Sequence, residues 1–364
     1  MPASAKRIPL VKYADPQLDD KTPQIPGRAY TCFFWVLLFA LCMGVCVYYS
    51  MTKPIVITSA NVSDAELFDL SRTVPLSLAG NPSAGCIEFT VPTGVQASDI
   101  VTENLYNERK FLVYINTDSD SYYGSMTDSG VTVDAGRISG DSALVRSASV
   151  VYDKSGALLI FEMNRISEYS LTMNENVVTM EAVDPRSLYN YVVVLDPGDK
   201  SEAAGVCADV ADRSAQLLYQ EGIRVYLTDT SPESETAVTP AQLMEETGAD
   251  IYIGLDVAHD GPAYHGIRTY YDPLYYIPGF GSIELSESCL KNTAISVSNR
   301  ALGISEAPQG NVLYEINAPA TLLIIGNADN QDEYALLTED SYRERLANGI
   351  YETVKESAGM MGDV

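Results

Sequence analysis

Residues that could bind a metal or attack a bond through nitrogen or sulfur are scarce in this sequence. Only two histidines occur, His259 and His265. Three of the six cysteines lie in an apolar N-terminal segment and three are scattered beyond it, namely Cys32, Cys42 and Cys46, then Cys86, Cys207 and Cys289. The three cysteines beyond the apolar segment are an odd number, so no closed set of disulfides is implied. No Cys-x-x-Cys pair or Cys/His cluster is present, so a thiolate zinc site is not expected.

Carboxylates, in contrast, are abundant. The formal net charge is −26, and residues 54–364 alone carry 17 Lys and Arg against 46 Asp and Glu. Such an acidic surface repels nucleic acid, so a nucleic-acid partner is excluded. It favours solubility, and it could hold divalent cations loosely.

One stretch concentrates aromatic side chains, YHGIRTYYDPLYYIPGF at residues 264–280. Its tyrosines could form a surface on which a sugar or peptide stacks. They could equally be packed at a sheet edge and in a loop. The residues concerned are Tyr264, Tyr270, Tyr271, Tyr275 and Tyr276.

Predicted strands and helices alternate from Tyr191 onward. The run YVVVLD is typical of a strand buried on both faces. Residues 206–218 and 340–355 have helical spacing of apolar residues, the latter with Tyr342, Leu346, Ile350 and Val354 on one face. Further strands are predicted for IRVYLT, DIYIGLD, IRTYY, VLYEI and TLLIIG, and helices for AQLMEET and within 282–299. This alternation predicts an α/β fold with a mostly parallel sheet flanked by helices.

The preceding region is predicted to be β-rich. Short alternating runs separated by polar and glycine clusters recur over residues 85–188, which is typical of a small sandwich or barrel-like module. Residues 53–84 are predicted to be a stalk or linker. The predicted strands are CIEFTV, KFLVYI, GVTVDA, LVRSASVVY, ALLIFEM, YSLTM and VVTMEAV.

An uncharged apolar run lies between Arg28 and Lys53. It is long enough to cross a hydrocarbon layer about 30 Å thick, which predicts a transmembrane helix at residues 29–52. Five basic residues precede the run and one follows it closely. The positive-inside rule then predicts a cytoplasmic tail at residues 1–28 and extracytoplasmic C-terminal domains on a single-pass protein of the cell membrane.

Several segments of the α/β part resemble, in order, those of the zinc-dependent N-acetylmuramoyl-L-alanine amidases. VVVLDPGD resembles their V-x-L-D-P-G-H, and ADIYIGLD followed by GIRTYY resembles A-D-x-x-x-S-x-H and G-x-E-T-Y-Y. Asn299-Arg300 matches an N-R-G-like turn, and PATLLIIGNADN resembles P-A-x-L-V-E-x-G-F-x-S-N. The resemblance implies an amidase-like domain at residues 189–358. A β-module in front of it is similar in position to AMIN-type wall-targeting modules.

The resemblance implies a chemistry that this sequence departs from. In the family, two histidines and a glutamate bind zinc, and a glutamate on the last strand is the general base. The family's substrate is the amide between N-acetylmuramic acid and L-alanine. Here the first histidine position is Asp199, the second is Asp256 and the base is Ile324. The serine before the second histidine is Gly254, and the glutamate of G-x-E is Arg268.

Glu202 is the nearest candidate for the glutamate ligand, although a helix dipole alone would explain its place at a helix start. Asp199, Glu202 and Asp256 together would suit Ca²⁺, Mg²⁺ or Mn²⁺ better than zinc, because converging carboxylates need a cation between them. His259 could join them. Alternatively, the two aspartates only cap turns. We expect no cofactor, or zinc or another divalent cation if the site is retained.

Ile324 decides between the functional hypotheses. A hydrocarbon cannot accept a proton, and general-base catalysis is typically worth roughly 10²–10⁴ in rate. We therefore expect a catalytically degenerate amidase fold that binds peptidoglycan or a protein of the cell wall, division or sporulation. Arg268, Tyr270 and Tyr271 are the predicted substrate contacts.

Two alternatives remain. The chain could be a divergent but active N-acetylmuramoyl-L-alanine amidase with a carboxylate-rich site. It could also be a purely structural exoplasmic protein, whose modules serve oligomerisation.

Overall fold

Two small β-sheets and one larger mixed sheet make up the computed structural model, which describes residues 68–80, 83–127, 138–198, 204–228, 238–274 and 277–362. The tail and the membrane span predicted for residues 1–28 and 29–52 lie outside these residues. So does the strand predicted in GVTVDA.

Ten strands of the described residues build the first region, which we call the β-region. In chain order they are β1 Val74–Leu76, β2 Ala79–Gly80, β3 Cys86–Thr90, β4 Ile100–Leu105, β5 Lys110–Ile115, β6 Ile138–Gly140, β7 Val145–Tyr152, β8 Ala157–Met163, β9 Glu168–Asn174 and β10 Val177–Val183. They form the sheets β1-β7-β8-β5-β4 and β2-β6-β3-β10-β9. A helix α1, Asp120–Thr127, follows β5.

The two sheets of the β-region share one apolar core. Phe111, Val113 and Leu159 of the first sheet join Phe89 and Met180 of the second in a single cluster of buried residues. Alternate residues of β3, β8 and β10 face this core, as expected when two sheets pack face to face. The small β-module predicted from the sequence is therefore a sandwich.

The stalk predicted at residues 53–84 needs correction at its C-terminal end. Val74 to Leu76 pair with Val150 to Ala148 of β7, and β2 pairs with β6. These strands were missed because they are only two or three residues long, too short to show a period of two. Strand β4 was missed for another reason, since all six of its residues are half-buried.

The second region, which we call the α/β region, contains a six-stranded sheet in the order β12-β11-β13-β16-β14-β15. Its strands are β11 Val192–Asp196, β12 Arg224–Leu227, β13 Ile251–Ala258, β14 Ile267–Tyr271, β15 Ala301–Glu306 and β16 Ala320–Asn327. Only the pair β14 and β16 is antiparallel. The predicted α/β fold with a mostly parallel sheet is confirmed.

Helices cover this sheet. After the short α2, Pro185–Leu188, they are α3 Ala204–Gln220, α4 Pro240–Thr247, α5 Ser282–Val297, α6 Gln331–Thr338 and α7 Asp340–Gly362. Val193 and Leu195 of β11 face a core shared with α3, α5 and α7. Val192 and Val194 face a second core that includes Leu243 of α4. Both faces of β11 are thus buried, as its continuous apolar run predicts.

The apolar face predicted for α7 is also confirmed, because Tyr342, Leu346, Ile350 and Val354 are all buried. The strand predicted in VLYEI is wrong. Residues Val312–Glu315 form a 3-10 helix, and the side chain of Asn311 accepts a hydrogen bond from the Leu313 amide at 3.0 Å. An asparagine cap of this kind starts a helical turn in place of a strand.

The single-pass membrane localisation predicted from the sequence is corrected by the structure. Of the helices that the described ranges contain, none is both long and apolar enough to cross a membrane. The longest is α7, with 23 residues. It is amphipathic and carries charged side chains along its length, among them Arg343, Glu344, Glu352 and Lys355.

Polar contacts join the two regions, which lie within one compact unit. The Tyr106 hydroxyl donates to the carbonyl oxygen of Leu227 at 3.1 Å and accepts from its amide at 2.9 Å. Glu168 of β9 accepts from the Arg224 Nε at 2.6 Å and from the Tyr226 hydroxyl at 2.7 Å. The β-region therefore covers β12, which is an edge strand of the mixed sheet.

A cluster between α5 and α7 gives a pH-dependent contribution to stability. Glu356 accepts hydrogen bonds from Lys291 at 2.8 Å, Ser288 at 2.6 Å and Asn292 at 2.9 Å. These partners lower the pKa of the Glu356 carboxyl from its ordinary 4.5 to about 2. A carboxyl whose pKa is lowered by folding stabilises the protein above its unfolded pKa, and this contribution is lost as the pH falls towards the folded pKa.

We expect Glu356→Gln to reduce the free energy of unfolding by about 1 kcal/mol near neutral pH, because the half-exposed Lys291 is screened by water. The difference from the unsubstituted protein should shrink between pH 4.5 and about 2. Urea unfolding at several pH values measures it. Glu352→Gln on the exposed face of the same helix is the control, and an equal effect of both substitutions at every pH would contradict the prediction.

Candidate functional site

Three predicted site positions lie side by side near the ends of neighbouring strands. Asp256 of β13 is in register with Ile324 of β16, and Ile324 is in register with Arg268 of β14. Residues in register on adjacent strands face the same side of a sheet, so the three side chains form one row. We call these three residues the Asp-Ile-Arg row.

Ile324 stands in the middle of this row and is closed to solvent. Its side chain is 4% exposed. Leu323 and Ile325 point to the opposite face, where they join the core beneath α3 and α7. A buried hydrocarbon at this place can neither accept a proton nor bind a water molecule.

Arg268 is held at one end of the row. It forms an ion pair with Asp260, a residue of the loop after β13. Its guanidinium carbon lies 5.6 Å from the centre of the Tyr270 ring. The side chain is 25% exposed, and its buried Nε lacks a hydrogen-bond acceptor among the described residues. Asp260 could not be identified from the sequence, because its pairing with Arg268 depends on the path of the loop.

Asp256 lies at the other end of the row and is exposed. One of its carboxylate oxygens accepts a hydrogen bond from the next amide, Val257, at 2.7 Å. The register of β13 against β16 shifts between Asp256 and Ala258. Asp199 and Glu202 lie outside the described residues, so their convergence with Asp256 stays a prediction.

The aspartate of the LDPG segment has a structural role. Asp196 accepts hydrogen bonds from the Gly198 amide at 3.0 Å, the Thr228 hydroxyl at 2.7 Å and the Tyr252 hydroxyl. Burial, and then Asp196, raises the pKa of Tyr252 well above its ordinary value, so this hydroxyl remains a donor. Asp196 is therefore fully engaged in holding the strand-to-loop turn.

Gly198 is required by this turn. Its φ is +72°, and a Cβ atom would lie 2.6 Å from the carbonyl oxygen of Leu255. Positive φ and close backbone approach are the two conditions that favour glycine. The LDPG segment thus forms the turn that follows β11.

The predicted aromatic contacts do not share one surface. Tyr270 follows Arg268 by two residues on β14 and faces the same side, whereas Tyr271 alternates to the opposite side. Tyr271 therefore cannot act together with Arg268. Tyr264 is 61% exposed, and Tyr275 and Tyr276 lie outside the described residues.

The loops beside the row are tied together by His259 and by two residues that the sequence did not single out, Asn327 and Asp329. Asn327 donates to the carbonyl oxygens of Gly261 at 2.9 Å and Tyr264 at 2.7 Å. His259 pairs with Asp329 at 3.3 Å. The Gly261 amide, and then His259, lower the pKa of Asp329. His259 is thus engaged with the loop after β16, where it has no part in the Asp-Ile-Arg row.

The buried cysteine on helix α3 is not available as a nucleophile. Cys207 of α3 is 2% exposed. Burial, followed by the charges of Asp256 and Asp196, raises the pKa of its thiol to about 12. The thiol is therefore protonated at neutral pH and unsuited to attack.

Comparison with known proteins identifies the α/β region. Residues 194–356 match the family model of N-acetylmuramoyl-L-alanine amidase. No curated protein matches the chain. The α/β region therefore carries the sequence pattern of the N-acetylmuramoyl-L-alanine amidase family.

Solved structures of amidases also match part of the chain. The catalytic domain of CwlV from Bacillus (Paenibacillus) polymyxa is 22% identical and covers 47% of this chain and 99% of its own, with a TM-score of 0.40. An N-acetylmuramoyl-L-alanine amidase from Clostridium difficile 630 is 25% identical and covers 46% of this chain and 97% of its own, with a TM-score of 0.40. CwlD from Clostridioides difficile, solved in complex with the GerS lipoprotein, is 20% identical. The match covers 47% of this chain and 99% of the CwlD chain, with a TM-score of 0.39.

The described residues do not fit the zinc expected in this family. The row offers one oxygen donor, Asp256, beside a hydrocarbon and a guanidinium, whereas catalytic zinc takes three protein ligands of nitrogen, sulfur or oxygen. Across the described ranges, no group of three His, Cys, Asp or Glu residues is placed to hold a metal ion. No metal-dependent step is therefore assigned to these residues.

Proposed function

We propose that this chain is a catalytically degenerate member of the amidase family that binds peptidoglycan and does not hydrolyse it. Its amidase fold would provide a surface that binds cell-wall strands. The protein would act in cell-wall metabolism as a binding or scaffolding component. The match of residues 194–356 to the family model supports peptidoglycan as the ligand class.

Burial of Ile324 within the Asp-Ile-Arg row is the observation that carries this proposal. Hydrolysis of an amide by water needs a group that removes a proton, and this contribution is typically worth roughly 10²–10⁴ in rate. Ile324 is 4% exposed, and its partners in register are an aspartate and an arginine. A side chain that activates water could take this position in the sheet only by displacing the packed Ile324.

The ligand contacts that we propose are on the same face of β14 as the row. Arg268 and Tyr270 offer a guanidinium and an aromatic ring, and the exposed Tyr264 stands on the neighbouring loop. Aromatic rings stack on sugars and peptides with an apolar face while keeping a polar hydroxyl. Tyr271, on the other face of β14, is not among these contacts.

A hydrolysis assay tests the catalytic half of the proposal. The full-length chain is incubated with muropeptides in the presence of Zn²⁺ or Mn²⁺, and released peptides are measured by mass spectrometry. We expect no release above the buffer control, while an active amidase assayed in parallel cleaves the same material. Metal-dependent release that disappears in Asp256→Ala would favour the alternative, a divergent but active amidase.

Co-sedimentation with insoluble peptidoglycan tests the binding half. We expect the full-length chain to sediment with peptidoglycan and to be released by soluble muropeptides. Sedimentation that is absent, in a preparation whose circular dichroism shows a folded protein, would contradict peptidoglycan binding. A protein partner of the cell wall would then be the remaining candidate ligand.

A further inference from the structure

The two edges of the six-stranded sheet differ in what covers them. Strand β12 at one edge is covered by the β-region, through contacts such as those of Tyr106 and Glu168. Strand β15 at the other edge pairs only with β14 among the described residues. The outward-facing amides and carbonyls of an edge strand can pair with a strand of another chain. The β15 edge is therefore a place where the sheet can be extended.

The sequence of β15 does little to prevent such pairing. Natural sheets protect their edges with lysine, proline or charged side chains along the strand. Strand β15 reads ALGISE, which contains neither lysine nor proline and has its one charge at the last position. Its register against β14 shifts only at its start, and from Gly303 to Glu306 the two strands follow each other residue by residue. This part of β15 is a regular edge.

A groove of about 630 Å³ runs between β15 and helix α5. Its lining is mostly apolar and includes Leu290, Ala294 and Ile295 of the helix and Ile304 of the strand. The Ile295 side chain is 69% exposed, and Leu302 of β15 is 39% exposed. We call β15, the lining of this groove and the preceding Arg300 the β15 edge surface. It combines free strand backbone with apolar side chains that a partner can cover.

The two ends of the β15 edge surface carry opposite charges. Arg300 precedes β15 and Glu306 ends it, and both are exposed without an ion-pair partner among the described residues. Helix α5 connects two parallel strands and so runs in the opposite direction, which places the exposed Glu287, early in the helix, towards the Glu306 end. Lys291 in the groove is already paired with Glu356. The surface therefore has one positive end and one negative end.

A surface with this polarity is complementary to an antiparallel copy of itself. In a twofold dimer the same patch of each copy meets the other in the opposite direction. The Arg300 end of one copy then lies against the Glu306 and Glu287 end of the second copy, and this contact occurs twice. A parallel arrangement would bring like charges together. The charge pattern thus selects a second copy as the occupant of this edge.

We propose that two copies of this chain associate through antiparallel pairing of their β15 strands, which joins their six-stranded sheets into one continuous sheet. Ile295 and Leu302 are covered in the dimer, and Arg300 forms ion pairs with the acidic end of the second copy. The open edge is thereby paired, and the opposite edge is already covered by the β-region within each chain.

Analytical ultracentrifugation of the full-length chain, over a range of protein concentrations, tests this association. We expect a reversible equilibrium between monomer and dimer. Arg300→Glu and Glu306→Arg each place like charges together at both ends of the contact, so each should raise the dissociation constant at least about tenfold. The variant with both substitutions has opposite charges again, and its dissociation constant should fall below that of either single variant.

The control is Arg146→Glu, which reverses the charge of an exposed arginine on β7 of the β-region and should leave the dimer unchanged. A monomer at every concentration, as expected if a different protein or another segment of the chain occupies the edge, would overturn the proposal. A dimer that both single charge reversals leave unchanged would do the same. If a single charge variant fails to fold, Ile295→Lys in the exposed part of the groove replaces it, and an unchanged dimer in that variant contradicts the proposal.

Discussion

Glu168→Ala is expected to lower the free energy of unfolding by about 3–5 kcal/mol, because it leaves the charge of Arg224 buried without a partner. The two side chains are 9% and 12% exposed, and their atoms Oε1 and Nε are 2.6 Å apart. The substitution also removes the acceptor of the Tyr226 hydroxyl. Water cannot replace the lost carboxylate without opening the contact between the β-region and β12.

The matched control is Glu108→Ala, which breaks an ion pair of similar length on the surface. Glu108 and Lys110 are 2.7 Å apart but 39% and 38% exposed. Exposed pairs contribute about 0–1 kcal/mol. Urea unfolding followed by circular dichroism measures both variants. An equal, small loss of unfolding free energy in both variants would mean that Arg224 becomes hydrated when Glu168 is removed. That result would contradict the prediction.

Replacing both members of the buried pair separates charge from packing. In Glu168→Leu combined with Arg224→Met, no uncompensated charge remains, so we expect much of the stability lost in Glu168→Ala to be recovered. The Tyr226 hydroxyl would still lack its acceptor, which leaves a loss of about 1–3 kcal/mol.

Gly349→Ala is the second substitution with a large expected effect. A Cβ atom at Gly349 of α7 would lie 2.6 Å from the Cα of Thr293 on α5, and 3.1 Å from both the Thr293 amide nitrogen and its hydroxyl oxygen. Two of these three atoms belong to the backbone, so the helices must move apart. Overpacking of this kind typically costs about 1–3 kcal/mol, and thermal or urea unfolding measures it.

Gly359→Ala in the same helix should have the opposite sign. A Cβ atom at Gly359 meets no atom within 4 Å, and the residue is exposed. Alanine is favoured over glycine in a helix by about 1 kcal/mol, so this variant should be more stable than the unsubstituted protein. Stabilisation by both substitutions would show that α5 and α7 separate without loss of packing.

Long buried elements were predictable, because their patterns depend only on burial. In helix α7, buried apolar residues recur every three or four positions. Strands β5, β8 and β10 begin and end where their alternating runs begin and end in the sequence. Strand β15 escaped prediction because it lies at the sheet edge with no buried residue. The 3-10 helix at Val312–Glu315 has the composition of a strand, and a single capping contact from Asn311 decides against it.

The residues of the candidate site could be predicted from the sequence, but their arrangement in space could not. The order of the family-like segments pointed to Asp256, Ile324 and Arg268. Their alignment in one row follows from the register of β13, β16 and β14, which brings together residues far apart in the chain. The pairing of Arg268 with Asp260, and the separation of Tyr271 from Tyr270 across the sheet, likewise needed the folded structure.

The contact of Tyr106 with Leu227 has a consequence for hydrogen exchange. Leu227 ends an edge strand, and its amide finds an acceptor in a hydroxyl of the β-region, whereas most sheet amides bond to a neighbouring strand. Protection of an amide reflects the free energy needed to open its hydrogen bond. The Leu227 amide therefore exchanges when its contact with Tyr106 opens, and its exchange rate reports the opening of this contact from a single backbone position.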